Sequence, residues 1–310
     1  MTARSIEFSR RAALRAGALA ALAVPLAACS GGNDESPDPL APLLAAAEAD
    51  AAAARALGTD AVAAQVAEAR AAHAAALKSE VDRLNRPKAA APSATPVPPS
   101  GVDGFRDRLA EARKQAADLV GGLPRYRAGL VASVAAGCAA LQRVAPPLGP
   151  GDDAPDPVAP AGALPPEAID PLQKALAAEH AAVWVYGLVS AFLPAAFGDA
   201  EKSGMAEHAE RRDLCRKLIS AAGTSPVAPE AAYVPPKPVT DSGSAAAVIA
   251  TAESDTAAAW LNVLTRTDDA ALRGMALAAM VAASRRGTPW RAEAGEKPTA
   301  IAMPGQAQSR

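Results

Sequence analysis

GTSPVAPEAAYVPPKPVTDSG, residues 223–243, is a long Pro-rich break between helical patterns, and it decides how the surrounding helices can be connected. A similar break, RPKAAAPSATPVPPSG, occupies residues 86–101. A connection of this length lets the chain travel the whole length of a helical bundle and return. Each break has two helical patterns before it and two after it, joined in pairs by short loops. Each half is therefore predicted to be a four-helix bundle with one long crossover between its second and third helices.

The composition favours helices throughout the chain. Half of the 310 residues are apolar but only 3% are aromatic, and alanine dominates many segments. Alanine suits closely packed helices, whereas sheets favour β-branched and aromatic side chains. We predict an all-α protein with helices at 40–57, 60–85, 103–121, 124–143, 168–192, 200–222, 243–265 and 270–286.

The first 28 residues are typical of an export signal. A positively charged lead precedes AGALAALAVPLAA, an apolar run shorter than the roughly 20 residues that span a bilayer. The run leads into Leu26-Ala27-Ala28-Cys29, which resembles the lipobox of bacterial lipoproteins. That resemblance implies cleavage before Cys29 and a lipid on its thiol. An ordinary secretory signal with an incidental cysteine is the alternative.

The export route stays open at this point. SRRAAL, residues 9–14, resembles the twin-arginine motif, but pairs of arginines also occur in general secretory signals. Either route would carry the protein out of the cytoplasm, and a lipid on Cys29 would hold it at the outer face of the cell membrane. The membrane is therefore one expected partner, and an unknown envelope protein is another.

The remaining features divide the chain and limit its chemistry. Of 31 basic and 33 acidic side chains, four arginines and one glutamate fall within residues 1–28, which leaves a net charge of −5 on the rest. A negative net charge gives no indication of the basic surface that nucleic-acid binding requires. Cys138 and Cys215 lie in apolar helical stretches of different halves and are predicted to be buried free thiols. The predicted segments are a signal peptide (1–28), a lipidated cysteine and tether (29–39), a first bundle (40–144), a Pro-rich linker (145–167), a second bundle (168–305) and a tail (306–310).

The second half resembles a known family. LQKALAAEHAAVWVYG, EHAERRDLC, APEAAYVPPKPVTD and the closing KPTAIAMPG are similar to the uncharacterised ferritin-like domain catalogued as domain of unknown function 4439. The resemblance covers residues 168–305 and implies a ferritin-like four-helix fold, whose single long crossover agrees with the loop pattern. It leaves the activity open.

The two halves also resemble each other, which indicates an internal duplication. The matching charged positions are Glu48 with Glu179, His73 with His208, and Arg127 with Arg273. We therefore predict two ferritin-like bundles in tandem, of which the first is the more divergent.

Two acids are predicted to point into the second bundle. Glu179 and Glu253 each lie on an apolar stripe with spacings of 4, 3, 4 and 3 residues, formed by Leu172, Leu176, Glu179, Val183 and Tyr186 and by Ile249, Glu253, Thr256, Trp260 and Val263. His208 and Glu207 lie on adjoining stripes of the helix between them, and one of the two should face inward. His180, about 100° around the helix from Glu179, should face elsewhere.

One interpretation of these residues is a metal site formed by Glu179, His208 and Glu253. Di-iron bundles take a Glu from each of two helices and Glu-x-x-His from each of the other two. Here the second helix offers Glu207-x-x-Glu210, and the fourth, LRGMALAAMVAASRR, offers no acid or histidine. A complete di-metal centre is therefore not predicted.

The other interpretation is a buried polar network in which arginine takes the place of a metal. Buried carboxylates must be paired, hydrogen-bonded or protonated. The predicted members are Glu179, Glu207, His208, Arg212, Glu253 and Arg273, with Arg211 as a further candidate. In the first bundle Glu48, His73 and Arg127 are the counterparts, and His73 is predicted to be a hydrogen-bonded core histidine.

These observations predict a lipid-anchored cell-envelope protein that acts as a non-catalytic structural or partner-binding module without a cofactor. The alternative is a metal-binding or metal-dependent oxidase-type protein that uses iron or another divalent metal at Glu179, His208 and Glu253. A third possibility is a small-molecule carrier with an apolar cleft between the bundles.

Overall fold

The computed structural model describes residues 36–86, 99–149, 164–235 and 237–307. Over these residues the protein is all-helical, as predicted, with eight α-helices and no strand. The predicted signal peptide, Cys29 and the predicted tether as far as residue 35 lie outside them. So do residues 87–98 of the first crossover, residues 150–163 of the linker and residues 308–310 of the tail.

The helices are α1 (Ala41–Ala56), α2 (Ala61–Leu84), α3 (Arg106–Val120), α4 (Arg125–Leu141), α5 (Pro166–Val189), α6 (Gly198–Ala221), α7 (Ser242–Leu264) and α8 (Ala270–Glu293). Three of them begin at an aspartate whose carboxylate accepts backbone N–H groups of the first turn: Asp60, Asp241 and Asp269. Such caps satisfy donors that a helix start leaves unpaired. They explain why these three helices begin close to the predicted positions.

The last helix is seven residues longer than predicted. The Gly287-Thr288-Pro289 sequence reads as a helix stop, yet α8 continues through Pro289 to Glu293. Gly287, Thr288 and Trp290 are buried, and the Thr288 hydroxyl donates to the Ser284 carbonyl at 3.0 Å. Tertiary packing of this turn therefore outweighs the local cost of proline in a helix.

The helices pack in a connected series. α1 packs on α2 and α3 on α4, while α5 contacts both α6 and α7, and α7 contacts α8. α8 also packs on α4 of the first half. Buried side chains of both halves, such as Leu77, Val134, Leu176 and Met280, belong to one continuous hydrophobic core. The two halves therefore share part of their interior.

α4 joins the halves because it is apolar on every side. Fourteen of its 17 residues are buried, and most of them are alanine, glycine or valine. A helix without a polar face needs cover all around. Its small residues also allow close approach, since a Cβ atom at Gly129 would lie 2.5 Å from Cγ2 of Thr265 at the end of α7.

The C-terminal segment, residues 294–307, crosses back onto the first half. The hydroxyl of Ser133 on α4 donates to the Pro304 carbonyl at 2.9 Å, and the Thr299 hydroxyl donates to Gln65 on α2 at 2.6 Å. Gln306, placed in the tail by the sequence, donates to the Ser133 hydroxyl at 3.3 Å. The segment thus ties the second half to α2 and α4.

α5 is apolar enough to raise the question of a membrane span. Together with the short 3₁₀ turn that follows it, Pro166–Phe192 is long and apolar enough to cross a bilayer by length and composition alone. In the fold it packs against α6 and α7 and carries the fully buried Glu179. These are the features of a core helix.

Candidate functional site

Glu179, His208 and Glu253 meet inside the second half. His208 Nδ1 lies 2.6 Å from Glu179 Oε2, and His208 Nε2 lies 3.1 Å from Glu253 Oε1. All three side chains are at most 1% exposed. The helical spacing that predicted two inward acids on α5 and α7 therefore placed both correctly, with the histidine of α6 between them.

His208 is held as an imidazolium. Both ring nitrogens face carboxylate oxygens, and both can donate only when the ring is protonated. Burial lowers the pKa of His208, but Glu253 and Glu179 outweigh burial and raise it above its ordinary value. The ring therefore contributes a positive charge between the two acids.

Two arginines supply further positive charge to the acids. Arg211, on α6, donates from Nε to Glu179 Oε1 at 3.1 Å. Arg286, on α8, donates from Nε and Nη2 to the two oxygens of Glu253 at 2.8 and 3.0 Å. Burial raises the pKa of each acid, but Arg211 and Arg286 lead the groups that reverse this effect and hold the pKa values of Glu179 and Glu253 below the ordinary range.

Glu207 closes the cluster at its solvent edge. Its carboxylate accepts from Arg286 Nη1 and lies 3.6 Å from Arg211 Nη1. The Glu207 side chain is 42% exposed, so water also reaches it. With this third acid, three carboxylates face one imidazolium and two guanidinium groups, and the formal charges balance. We call these six residues, Glu179, Glu207, His208, Arg211, Glu253 and Arg286, the charge cluster.

Two aromatic residues complete the hydrogen bonding of the buried acids. Trp260 Nε1 donates to Glu179 Oε1 at 2.6 Å, and the Tyr186 hydroxyl donates to Glu253 Oε1 at 2.6 Å. Trp260 and Tyr186 lie on the same helical stripes as the acids, which brings their polar tips to the cluster. Gly204 on α6 gives the Tyr186 ring room, because a Cβ atom there would lie 2.6 Å from the ring. Every oxygen of Glu179 and Glu253 thus accepts at least one hydrogen bond.

The predicted arginine partners were wrong in two cases. Arg273 lies in the first turn of α8, about 20 Å along the helix axis from Arg286. Its side chain donates to the Thr267 and Leu123 carbonyls at 2.8 Å each and to Asp268 at 2.7 Å, so it ties two loops together. Arg212 faces away from the cluster and pairs with its neighbour Asp213 at 2.9 Å.

Arg286 was missed by the sequence reasoning, although a signal for it exists. It lies on a stripe of α8 with spacings of 4, 3, 4, 3 and 4 residues whose other members are all buried: Leu272, Ala276, Ala279, Ala283 and Trp290. Ending the helix at residue 286 left the arginine at a frayed terminus in the prediction. The continuation to Glu293 puts it inside the helix and on the inward face.

The first half holds a different buried network from the predicted one. Glu48 is exposed, and the buried acid of α1 is Asp50. Asp50 accepts from Arg70 at 3.0 Å and from Arg108 at 3.1 Å. Arg127 pairs with Asp38 at 2.5 Å and with Glu80 at 3.1 Å near the start of α4.

His73 is a hydrogen-bonded core histidine, as predicted. Burial, followed by the charge of Arg70, lowers the pKa of His73 to about 3, so the ring is neutral. Its Nε2 donates to the Ala302 carbonyl at 2.7 Å, and its Nδ1 accepts from Arg70 at 3.1 Å. Arg70 also approaches the buried Cys138 sulfur at 3.4 Å. Cys138 and Cys215 are both buried free thiols, which confirms that prediction.

The charge cluster does not fit a metal ion. Over the described residues, no group of three His, Cys, Asp or Glu side chains is arranged to hold one. His208 would have to lose a proton to become a ligand, and the oxygens of Glu179 and Glu253 already accept hydrogen bonds from arginine, Trp260 and Tyr186. A divalent ion here would also meet two fixed guanidinium charges.

The groups of the cluster are also poor reagents. Glu179 and Glu253 have lowered pKa values and accept hydrogen bonds at every oxygen, and the arginines do not exchange protons at ordinary pH. Cys215 lies one turn beyond Arg211 on α6, and burial raises the pKa of its thiol, so the sulfur stays protonated. The arrangement stabilises a fixed geometry instead of supplying a nucleophile or a general base.

Two cavities flank this region. One, of about 330 Å³, lies where α7, α8 and the C-terminal segment meet and is lined by polar and apolar groups, including Asp255, Thr288 and Gln306. The other, of about 920 Å³, lies on the outer side of α5 and α6, where His180 and Trp184 line it.

The fold and the cluster together define an all-helical protein with a buried, charge-balanced group of acids and bases. Residues 171–308 match the sequence profile of the family described as Domain of unknown function (DUF4439). The chain therefore carries a domain of this family, which confirms the resemblance predicted for residues 168–305.

A solved structure is also similar to part of the chain. It is the crystal structure of a conserved hypothetical protein, rv2844, from Mycobacterium tuberculosis, which is 31% identical. The alignment covers 42% of this chain and 93% of that chain, with a TM-score of 0.40. The comparison with curated proteins gave no match.

Proposed function

We propose that this chain is an exported lipoprotein built from two tandem ferritin-like four-helix bundles, and that it acts as a non-catalytic binding module at the outer face of the cell membrane. In the second bundle, the charge cluster stands where ferritin-like enzymes hold metal, and it stabilises the bundle without a cofactor. Lipid on Cys29 provides the anchor.

The observation that carries the metal-free role is the bidentate pairing of Arg286 with Glu253. The guanidinium delivers a fixed positive charge from the fourth helix at 2.8 and 3.0 Å, in the direction from which a metal ligand would otherwise come. A planar fork of this kind matches a carboxylate and remains charged at all ordinary pH values. The protein can therefore neutralise its buried acids without a supply of metal.

The tandem arrangement is supported by a shared pattern of buried charge. The first helix of each half contributes an acid, Asp50 or Glu179, and the second helix contributes an arginine and a histidine that contact each other. In the second half these are Arg211 and His208, and in the first half Arg70 and His73. The arginine precedes the histidine by three residues in the first half and follows it by three in the second, so a common origin followed by divergence explains the pattern.

Metal content tests the proposal directly. The mature protein should be purified from cells grown with added iron, manganese and zinc, and analysed by inductively coupled plasma mass spectrometry. We expect well under one metal ion per chain, with no difference between the wild type and Glu179→Ala. Stoichiometric metal that disappears in Glu179→Ala would overturn the metal-free role.

Cell fractionation tests the anchor. The wild type should partition with the membrane fraction, and Cys29→Ser should be released from it, because the lipidated thiol is lost. Ser30→Ala, a change next to the cysteine, is the matched control and should stay in the membrane fraction. Equal membrane retention of Cys29→Ser would contradict the lipoprotein assignment.

A further inference from the structure

The 920 Å³ cavity is a walled cleft on a face of α5 adjoining the one that carries the charge cluster. His180 and Trp184 of α5 form its floor, the C-terminal half of α6 forms one wall, and residues 226–233 of the crossover form the other. This volume is within the range of roughly 300–1,000 Å³ that is usual for small-molecule sites. Glu179 and His180 are consecutive residues, yet one serves the cluster and the other the cleft.

The crossover wall is held in place by α5. The side-chain amide of Gln173 donates from Nε2 to the Ser225 carbonyl at 2.7 Å, and its Oε1 accepts from the Val227 backbone N–H at 2.7 Å. Two hydrogen bonds from one side chain fix the start of the crossover against the helix. The cleft is therefore a defined feature of the fold.

The helical wall carries an excess of positive charge. Arg212, Arg216 and Lys217 line it, together with one acid, Asp213. Asp213 forms an ion pair with Arg212 at 2.9 Å and lies 3.7 Å from Arg216. Lys217 forms no ion pair with an acid among the described residues. Even with Glu230 of the crossover included, three cations face two acids, so the cleft favours an anion.

His180 places in the cleft a buried ring nitrogen, Nε2, that has no hydrogen-bond partner in the described part of the chain. The residue is 8% exposed. A buried polar atom without a partner typically costs about 1–3 kcal/mol. Such atoms are rare in folded proteins and call for an explanation. A ligand in the cleft would supply the missing partner.

An aromatic corner lies beside the cations. The rings of Trp184 and Tyr233 are 5.6 Å apart and tilted by 54°. Both line the cleft, and both side chains are partly exposed there. A flat or apolar group can pack on these rings, while an acidic group on the same molecule reaches the α6 wall.

We propose that this cleft binds a small organic anion, a carboxylate or phosphate with a flat apolar body. Arg216 and Lys217 hold the acidic group, Trp184 and Tyr233 contact the body, and His180 Nε2 makes a hydrogen bond to it. The inference gives the binding role proposed above a ligand class and rests on that role.

Phenyl phosphate is a suitable probe because it carries both features, with inorganic phosphate and phenol as its separate halves. Binding to the mature protein should be followed by isothermal titration calorimetry and by intrinsic tryptophan fluorescence, to which Trp184 in the cleft contributes. We expect saturable binding of phenyl phosphate at one site per chain, at least tenfold weaker binding of inorganic phosphate, and none of phenol. Absence of saturable phenyl phosphate binding would overturn the proposal.

Variants locate the site. Arg216→Gln combined with Lys217→Gln should weaken phenyl phosphate binding at least tenfold, and His180→Leu should weaken it severalfold. Lys202→Gln removes an exposed lysine elsewhere on α6 and should bind as the wild type does. Circular dichroism and unfolding midpoints will show that each variant is folded, and binding that is equal in all of them would refute the assignment.

The two proposals fail separately. Metal in the charge cluster would overturn the metal-free role without changing phenyl phosphate binding. The phenyl phosphate titrations alone would overturn the proposed cleft ligand, whatever the metal content of the protein.

Discussion

Replacing Arg286 with methionine tests the central electrostatic feature of the fold. The change keeps an unbranched side chain of similar length and removes only the guanidinium. Glu253 is 1% exposed, and its Oε2 accepts from Arg286 alone among the described residues, while Oε1 keeps Tyr186 and His208. The variant therefore leaves a buried carboxylate with one oxygen unsatisfied and part of its charge uncompensated.

Breaking a buried ion pair by removing one partner costs about 3–5 kcal/mol, and the Arg286 side chain, at 13% exposed, belongs to that class. We expect Arg286→Met to lower the free energy of unfolding by that amount. Urea unfolding followed by tryptophan fluorescence measures it, since Trp184, Trp260 and Trp290 all lie in the second half.

Two further variants make the result specific. Arg212→Met removes a partly exposed arginine paired with Asp213 and should cost less than about 1 kcal/mol. Adding Glu253→Gln to Arg286→Met removes the uncompensated charge and should restore part of the lost stability. A cost for Arg286→Met that is no larger than that for Arg212→Met would refute the assignment of Arg286 to the cluster.

Three other predictions concern packing, pH and thiol reactivity. Gly137→Ala should destabilise the protein by about 1–3 kcal/mol, because the added Cβ atom would lie 1.9 Å from a backbone carbonyl oxygen of the C-terminal segment. Gly274 has open space around it, so Gly274→Ala should be neutral or stabilising. Thermal unfolding of the two variants compares these effects. Because the pKa of His208 is raised in the folded state, its charged ring contributes its full stabilisation below pH 6.5, and this contribution is lost as the pH rises through the folded pKa. Because the pKa of Glu253 is lowered, its carboxylate contributes its full stabilisation above pH 4.5, and this contribution is lost as the pH falls. Both contributions are therefore complete between pH 4.5 and 6.5. Urea midpoints across the pH range should therefore decline on both sides of that window, and a His208→Gln variant should lack this contribution to the alkaline decline. Cys215 should react with a thiol reagent such as Ellman's reagent only after unfolding, because its thiol is buried and its pKa is raised; rapid reaction in the native protein would contradict its placement.

The inward acids could be predicted because helical spacing determines which face of a helix a residue occupies. Glu179 and Glu253 each sit among large apolar residues whose 4, 3, 4, 3 spacing marks one buried stripe. The same reasoning failed for Glu48, because α1 is so rich in alanine that several faces look alike. Only the fold shows that Asp50 is the buried acid there.

The arginine partners were harder to predict for a physical reason. A guanidinium lies at the end of a long flexible side chain, so its position depends on the surrounding packing as well as on the helix face. Arg211 and Arg212 are adjacent, and their difference of about 100° around α6 sends one to Glu179 and the other to Asp213. The position of Arg286 could be predicted only with the correct end of α8, and packing around the buried Trp290 extends that helix beyond Pro289.

The cluster and the cleft are physically connected through α5 and α6. His208 and Arg211 of α6 bind Glu179 of α5 at 2.6 and 3.1 Å, and these contacts fix how far apart the two helices lie. The same two helices present His180 and the basic wall to the cleft on an adjoining face. A metal-free cluster of fixed charges would keep that spacing constant whatever ions surround the protein, because arginine does not dissociate as a bound metal does. The cluster therefore forms a rigid support for the proposed binding cleft, and its buried acids are fully hydrogen-bonded within the fold while His180 Nε2 is not.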